Sequence, residues 1–169
     1  MSVEFPKENE YLQYFQHYIS LVNGDPMECL ANNLKHHIDW VRQYPQDKLD
    51  SAYAPGKWTV KDVLQHIIDT ERIMSYRALC IARGESQLLP SYDENEYAKV
   101  VDTSIKSLHS IMLEYQTQRE STLALFKTFT PKELTTIGKT DSAPFSPRAI
   151  LYINVGHEIH HFNVLRERY

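Results

Sequence analysis

SPRAILYINVGHEIHHFNVLRER, residues 146 to 168, is the stretch from which both fold and chemistry are read. Ser146 suits a helix N-cap and Pro147 the first turn, so a helix is expected to start there. At 3.6 residues per turn, Ile150, Ile153, His157, His161 and Val164 fall on one stripe. Two imidazoles one turn apart thus lie at the centre of a face expected to be buried. Desolvating a polar ring without a partner costs about 1–3 kcal/mol. A metal ion accounts for the pair, because neutral imidazole is a preferred ligand of zinc, nickel and iron and the i, i+4 spacing aims both rings at one point. Two core histidines hydrogen-bonded to neighbouring side chains are the plainer alternative.

Upstream, the same signals recur. Thr59 caps a helix, helped by Asp62 three residues on. Its stripe of Val60, Leu64, Ile67, Met74, Ala78 and Ile81 has Glu71 inside it. His66 lies on the flank with Val63, Thr70 and Ile73; alone it reads as a surface or boundary histidine, but a flank position can face the interior when a helix has two neighbours. Arg83-Gly84 ends this helix, and residues 84 to 103 show no clear periodicity. A connection so long suits a crossover joining helices that are not antiparallel neighbours. The next helix is expected over Ser104 to Phe129, with Ile105, Leu108, Met112, Tyr115, Thr122 and Phe126 on one side and Arg119 among them. An unpaired buried guanidinium is costly, so Glu71 and Arg119 are expected to find partners inside the bundle, each other or a shared polar network, unless Arg119 grips an anionic substrate.

Nearer the start, Tyr11, Phe15, Tyr18 and Val22 predict a short amphipathic helix ending at Asn23-Gly24. Asp25-Pro26 opens another, with Met27, Leu30, Leu34, Ile38 and Val41 on its apolar side. His36 and His37 lie beside that stripe and read as solvent-facing or packing residues. Thr130-Pro131-Lys132-Glu133 reads as a helical turn, and the loop from there to Ser146 is polar.

The chain has 169 residues, 42% of them hydrophobic, which suits one domain, residues 1–169, with a real core. A net charge of −4 without a basic run argues against nucleic acid. MSVEFPKENEY has neither a basic leader nor an apolar core, so no signal peptide is expected there. No apolar run approaches the roughly 18 residues of a membrane span. Cys29 and Cys80 lie far apart and form no metal motif, so reduced thiols and a cytoplasmic setting are expected. The 5 glycines and the lack of hairpin dipeptides weigh against an all-β fold.

HEIHH, residues 157 to 161, also satisfies H-E-x-x-H, the zinc-protease pattern in which Glu158 would be the general base. Such proteases take a third ligand downstream, and the extended pattern needs Gly and His where this chain has Val164 and Glu167. The third ligand is therefore expected upstream, and His66 is the best candidate.

PGKWTVKDVLQHIIDTERIMSYRALCIARG, followed by GHEIHHFNVLRER, resembles the DinB-like superfamily of metal-binding four-helix bundles. The likeness spans nearly the whole chain, including the LPSYDENEY crossover. It is carried by W-[ST]-x-x-[DE]-x-x-x-H at Trp58 to His66, D-x-E at Asp69 to Glu71, and H-x-x-x-H in the last helix. The resemblance implies His66, His157 and His161 as ligands and His160 as a non-ligand, which its rotation off their shared centre also supports. It further implies a metal-dependent hydrolase, or a thiol-dependent transferase or isomerase using a low-molecular-weight thiol, acting on a small molecule.

The expected fold is all-α, a four-helix bundle with a long crossover. Zinc and nickel both suit three histidines. Asp69, Glu71, Glu158 and Arg119 are the candidate catalytic groups. A non-catalytic bundle with a structural or vestigial metal stays open as the alternative, and a homodimer stays open beside a monomer.

Overall fold

The computed structural model describes residues 3–141 and 143–169. Met1 and Ser2, at the head of the stretch read for a leader, and Ser142, in the polar loop, lie outside the described residues. In chain order the helices are α1 (Gln16–Ile19), α2 (Pro26–Gln43), α3 (Val60–Ala82), α4 (Glu94–Val100), α5 (Leu108–Phe126), α6 (Pro131–Leu134) and α7 (Pro147–Arg168). A short ribbon of β1 (Gly138–Lys139) and β2 (Pro144–Phe145) precedes α7. The starts of the long helices follow their capping chemistry. Asp25 Oδ1 accepts from the Met27 and Glu28 N–H groups, and Thr59 and Asp62 satisfy each other's backbone N–H. Ser146 Oγ accepts from Ala149 N–H with Pro147 in the first turn. Such a cap stabilises by about 1 kcal/mol.

Helices α2, α3, α5 and α7 form the four-helix bundle, and cross-helix pairs give its directions. Glu71 and Ser75 of α3 meet Arg119 and Thr122 of α5 in the same order, so these helices run parallel. Asn33 and His37 of α2 likewise meet Glu158 and Phe162 of α7. By contrast, α3 and α7 are antiparallel: His66 meets His157, and the Tyr169 hydroxyl donates to Trp58 O. Helices α2 and α5 are antiparallel too, with Leu30 O on Arg119 and His37 on Tyr115. No tight turn can join the parallel neighbours α3 and α5. Residues 84 to 103 do so by running back along α3, where Tyr92 reaches Thr70 and Thr103 reaches Asp62. This is the expected crossover.

Among the described residues the core has two apolar clusters. Met74, Ala78, Ile81, Phe126, Ile150 and Ile153 belong to one, and Leu64, Ile67, Ile111, Phe162 and Leu165 to the other. Burying one such side chain contributes about 1.5–3 kcal/mol. Glu71, Arg119 and Glu158 form a buried polar layer between them along the helices.

Four expectations need correction. The N-terminal amphipathic helix is replaced by two 3-10 turns and the four-residue α1, since so short a segment cannot sustain a helix without packing that suits one. Residues 84 to 103 contain α4, capped by Asp93, although none of its residues is buried. Helix α5 starts at Leu108, after the Ser107 cap and four residues later than expected, which leaves Ile105 outside it and 81% exposed. Finally, α7 shows no single buried stripe in its first half: every residue from Pro147 to Glu158 is buried. Cys29 and Cys80 are both free thiols. Among the described residues, no helix is long and apolar enough to cross a membrane.

Candidate metal centre

Helix α3 supplies His66, and α7 supplies His157 and His161 one turn apart. The antiparallel crossing brings their ring nitrogens together. His157 Nε2 lies 3.0 Å from His66 Nε2 and 3.1 Å from His161 Nε2. Ligand atoms of all three lie within 4.8 Å of one another. His157 Nε2 has one proton or one lone pair, so it can make only one good hydrogen bond to these two partners. A cation accepts all three lone pairs at once. With zinc–nitrogen distances of about 2.0–2.1 Å, the edge of a tetrahedral site is about 3.3 Å, close to the two spacings that His157 makes. The residues therefore fit a divalent ion.

Electrostatics favours the same use. Burial holds the His66 imidazole down to about 4 and, with His66 beside it, His161 down to about 3. His157 is held well below the ordinary range by burial and by its histidine neighbours. All three are neutral at pH 7, the state in which imidazole binds metal. His160 points elsewhere: its Nδ1 lies 3.2 Å from His17 Nε2.

The triad forms one wall of an open cavity of about 250 Å³. Tyr14, Phe15, Tyr18, Trp58, Met74 and Ile153 give it apolar surface. Tyr18 packs edge-on against His157, and the Trp58 ring lies against His66. The crossover supplies Ser91, Tyr92 and Glu94, and α3 supplies Thr70 and Arg77. The Tyr92 and Thr70 hydroxyls are 2.7 Å apart.

The four candidate catalytic groups are placed differently from one another. Arg119 donates to Glu71 and Glu158 inside the bundle, and none of these three lines the cavity. Glu158 also accepts from the Tyr115 hydroxyl and from Asn33. Burial, with the Glu71 carboxylate beside it, pushes its carboxyl well up from the usual range. The glutamate of the protease-like motif is thus turned into the core, away from the histidines that flank it. Asp69 lines a small recess beside His66 and Tyr92, where it accepts from Gln65 and Arg72. Burial raises its carboxyl. Tyr18, Tyr92 and Arg77 are wall residues that sequence reasoning missed. Only the LPSYDENEY segment pointed to one of them, Tyr92.

A family profile described as the DinB superfamily matches residues 30–165, well over half of the chain. The chain belongs to the DinB superfamily. This DinB-superfamily chain is 30% identical over 59 residues to an Oceanobacillus iheyensis protein provisionally named a metal-dependent hydrolase. That match takes in 35% of the chain and spans about a third, 34%, of the relative's length. A Bacillus cereus protein with the same provisional name is 25% identical over 150 residues, covering 84% of this chain and 82% of that one. The fold is that of YfiT from Bacillus subtilis, with a TM-score of 0.72 over 98% of this chain and 91% of YfiT at 21% identity. YfiT is described as a metal-dependent hydrolase candidate with an unusual four-helix bundle topology. The DinB-like YjoA of the same organism matches with a TM-score of 0.59 at 16% identity, over 83% of this chain and 86% of that one.

Proposed function

We propose that this chain is a metal-dependent enzyme acting on a small molecule, with His66, His157 and His161 as its metal ligands. The observation that carries this is the convergence of three neutral imidazoles, His157 buried and His66 and His161 half-buried, on the wall of an open cavity. When bound, a zinc or nickel ion supplies Lewis acidity and open coordination positions. A structural zinc is normally closed by four protein ligands; among the described residues the cluster holds three. Tyr18 and Trp58 orient the rings and keep water from their outer edges. Thr70, Ser91 and Tyr92 offer hydroxyls to a polar substrate.

Hydrolysis is the first reading, supported by the names of the relatives. One observation favours thiol transfer as a second. Glu94, at the exposed rim, is the only carboxylate among the described residues lining the cavity, so a protein base for activating water is hard to find. A low-molecular-weight thiol ionises at about pH 8.5 unaided, and lower beside a cation, and needs no such base.

The test is elemental analysis of protein purified without a metal-affinity tag, followed by parallel screens for ester or amide hydrolysis and for thiol addition to small electrophiles. About one zinc or nickel per chain is expected, with activity in one screen that His66→Ala abolishes. Metal-free protein, or full metal occupancy in His66→Ala, would overturn the reading.

A further inference from the structure

Among the described residues three arginines are buried: Arg77, Arg119 and Arg148 are 6%, 0% and 4% exposed. Two have carboxylate partners, Arg119 with Glu71 and Glu158, and Arg148 with Glu10 and Glu4. Arg77 differs. Among the described residues no carboxylate lies within 4.0 Å of it, and its contacts are the Pro90 carbonyl at 2.6 Å, the Met74 sulfur at 3.5 Å and the Tyr92 ring. Asp141, the acidic group that acts on its charge, is exposed and is taken up by the Ser91 hydroxyl, and Glu94 of the cavity lining is exposed too. A buried guanidinium with no carboxylate in contact is a costly feature, and this one lines the same cavity as the histidines.

Its place on α3 is specific. Eleven residues separate His66 from Arg77, which is about 16 Å of rise and leaves them within about 20° on one helix face. Helical side chains lean toward the N-terminus, so the long Arg77 side chain leans back along the cavity toward His66.

We infer that Arg77 is the anchor for an anionic group, a carboxylate or phosphate, at the far end of the substrate from the metal-binding head. The inference rests on the metal-site reading above and adds the substrate class: a small molecule with a reacting group at the histidines and a negative charge at Arg77. A guanidinium suits this because it binds carboxylate or phosphate through two parallel hydrogen bonds. The wall between the two ends carries Thr70, Tyr92 and Met74, which suits a short, partly polar spacer.

Hydroxamates of stepped chain length, each with either a terminal carboxylate or a plain alkyl end, test it on the zinc-loaded full chain by calorimetry. Zinc binding is measured first, so failure of the metal reading shows as absent zinc and overturns both claims. With zinc bound, one chain length should bind at least tenfold tighter as the carboxylate than as the alkyl compound, and added salt should shrink that preference. Arg77→Met should abolish the preference while leaving affinity for the alkyl hydroxamate unchanged, and Arg77→Lys should keep part of it. The wild-type comparison stands even if a variant fails to fold. Equal affinity for the two ends at every length, or a preference that survives in Arg77→Met, would overturn the inference while leaving the metal site intact.

Discussion

Arg119 grips Glu71 through Nε, at 3.0 and 3.2 Å from the two carboxylate oxygens, and through Nη2 at 2.9 Å. The pair was legible from two charges on otherwise apolar stripes. Glu158 was not part of that expectation, yet the same Nη2 reaches it at 2.6 Å. Nη1 donates to the Leu30 carbonyl, which ties α2 to the layer. Losing one partner leaves a buried charge uncompensated, at a cost of about 3–5 kcal/mol. Glu71→Gln and Arg119→Met should each lose stability of that order in urea unfolding. Because Glu158 also depends on Arg119, the Glu71→Gln, Arg119→Met double variant should recover less than a triple variant that adds Glu158→Gln. Small, additive effects would show that the layer is not a coupled network.

What could be read beforehand was mostly local. Caps at Asp25, Thr59 and Ser146 and the stripe of α3 act within a few residues, so they survive in a one-dimensional reading. His66 sat on a flank, and spacing alone left it a boundary residue; the need for an upstream third ligand made it a candidate, and the motif resemblance supported it. Helix α4 had no apolar period to read because it buries nothing. Tyr18, Tyr92 and Arg77 left no spacing signal, since their meeting in one cavity depends on elements distant in the chain. The deep burial of α7 was also invisible, because residues from α1, α2, α3 and α6 surround it only after folding.

The adjacent histidines 160 and 161 should behave differently. His161 points at the triad, whereas His160 pairs with His17. Single replacement of His66, His157 or His161 by Ala should abolish tight divalent-metal binding in calorimetry. His160→Ala should keep it and lose only the small contribution of a half-exposed hydrogen bond. Loss of metal from His160→Ala comparable to that from His161→Ala would place the ligand set elsewhere.

His37 predicts a pH dependence. It stacks on Phe162 in the core, and burial, with Arg119 nearby, holds its imidazole down to about 2 from an ordinary 6.5. Below pH 6.5 the unfolded chain takes up this proton while the native chain does not until about pH 2. Stability from His37 is therefore complete above pH 6.5 and is lost as pH falls through that window, by up to about 1.4 kcal/mol per pH unit. In chelator-treated protein, urea unfolding at pH 7, 6 and 5 should show a steeper decline for wild type than for His37→Gln. His66 and His161 add to the decline in both proteins, so the difference between slopes isolates His37. Identical slopes would mean that His37 is protonated in the native state.

Gly156 lies where α7 meets the chain at Tyr18. A Cβ at this position would stand 1.9 Å from the Tyr18 carbonyl oxygen and 2.4 Å from its carbon. These are backbone atoms, so no side-chain rotation relieves the clash. Tyr18 in turn covers His157, with ring centroids 5.5 Å apart, so the missing Cβ is what lets the N-terminal segment close one wall of the cavity. Alanine in place of glycine inside a helix ordinarily gains close to 1 kcal/mol. Here overpacking should outweigh that gain, with a cost of about 1–3 kcal/mol from pushing the segment off α7. Gly156→Ala should therefore lower the melting temperature and speed amide exchange in residues 14 to 22. Zinc affinity should be largely kept, because the three histidines sit on α3 and α7. An unchanged or raised melting temperature, with exchange over residues 14 to 22 as in wild type, would mean that Tyr18 does not approach α7 closely enough for Gly156 to matter.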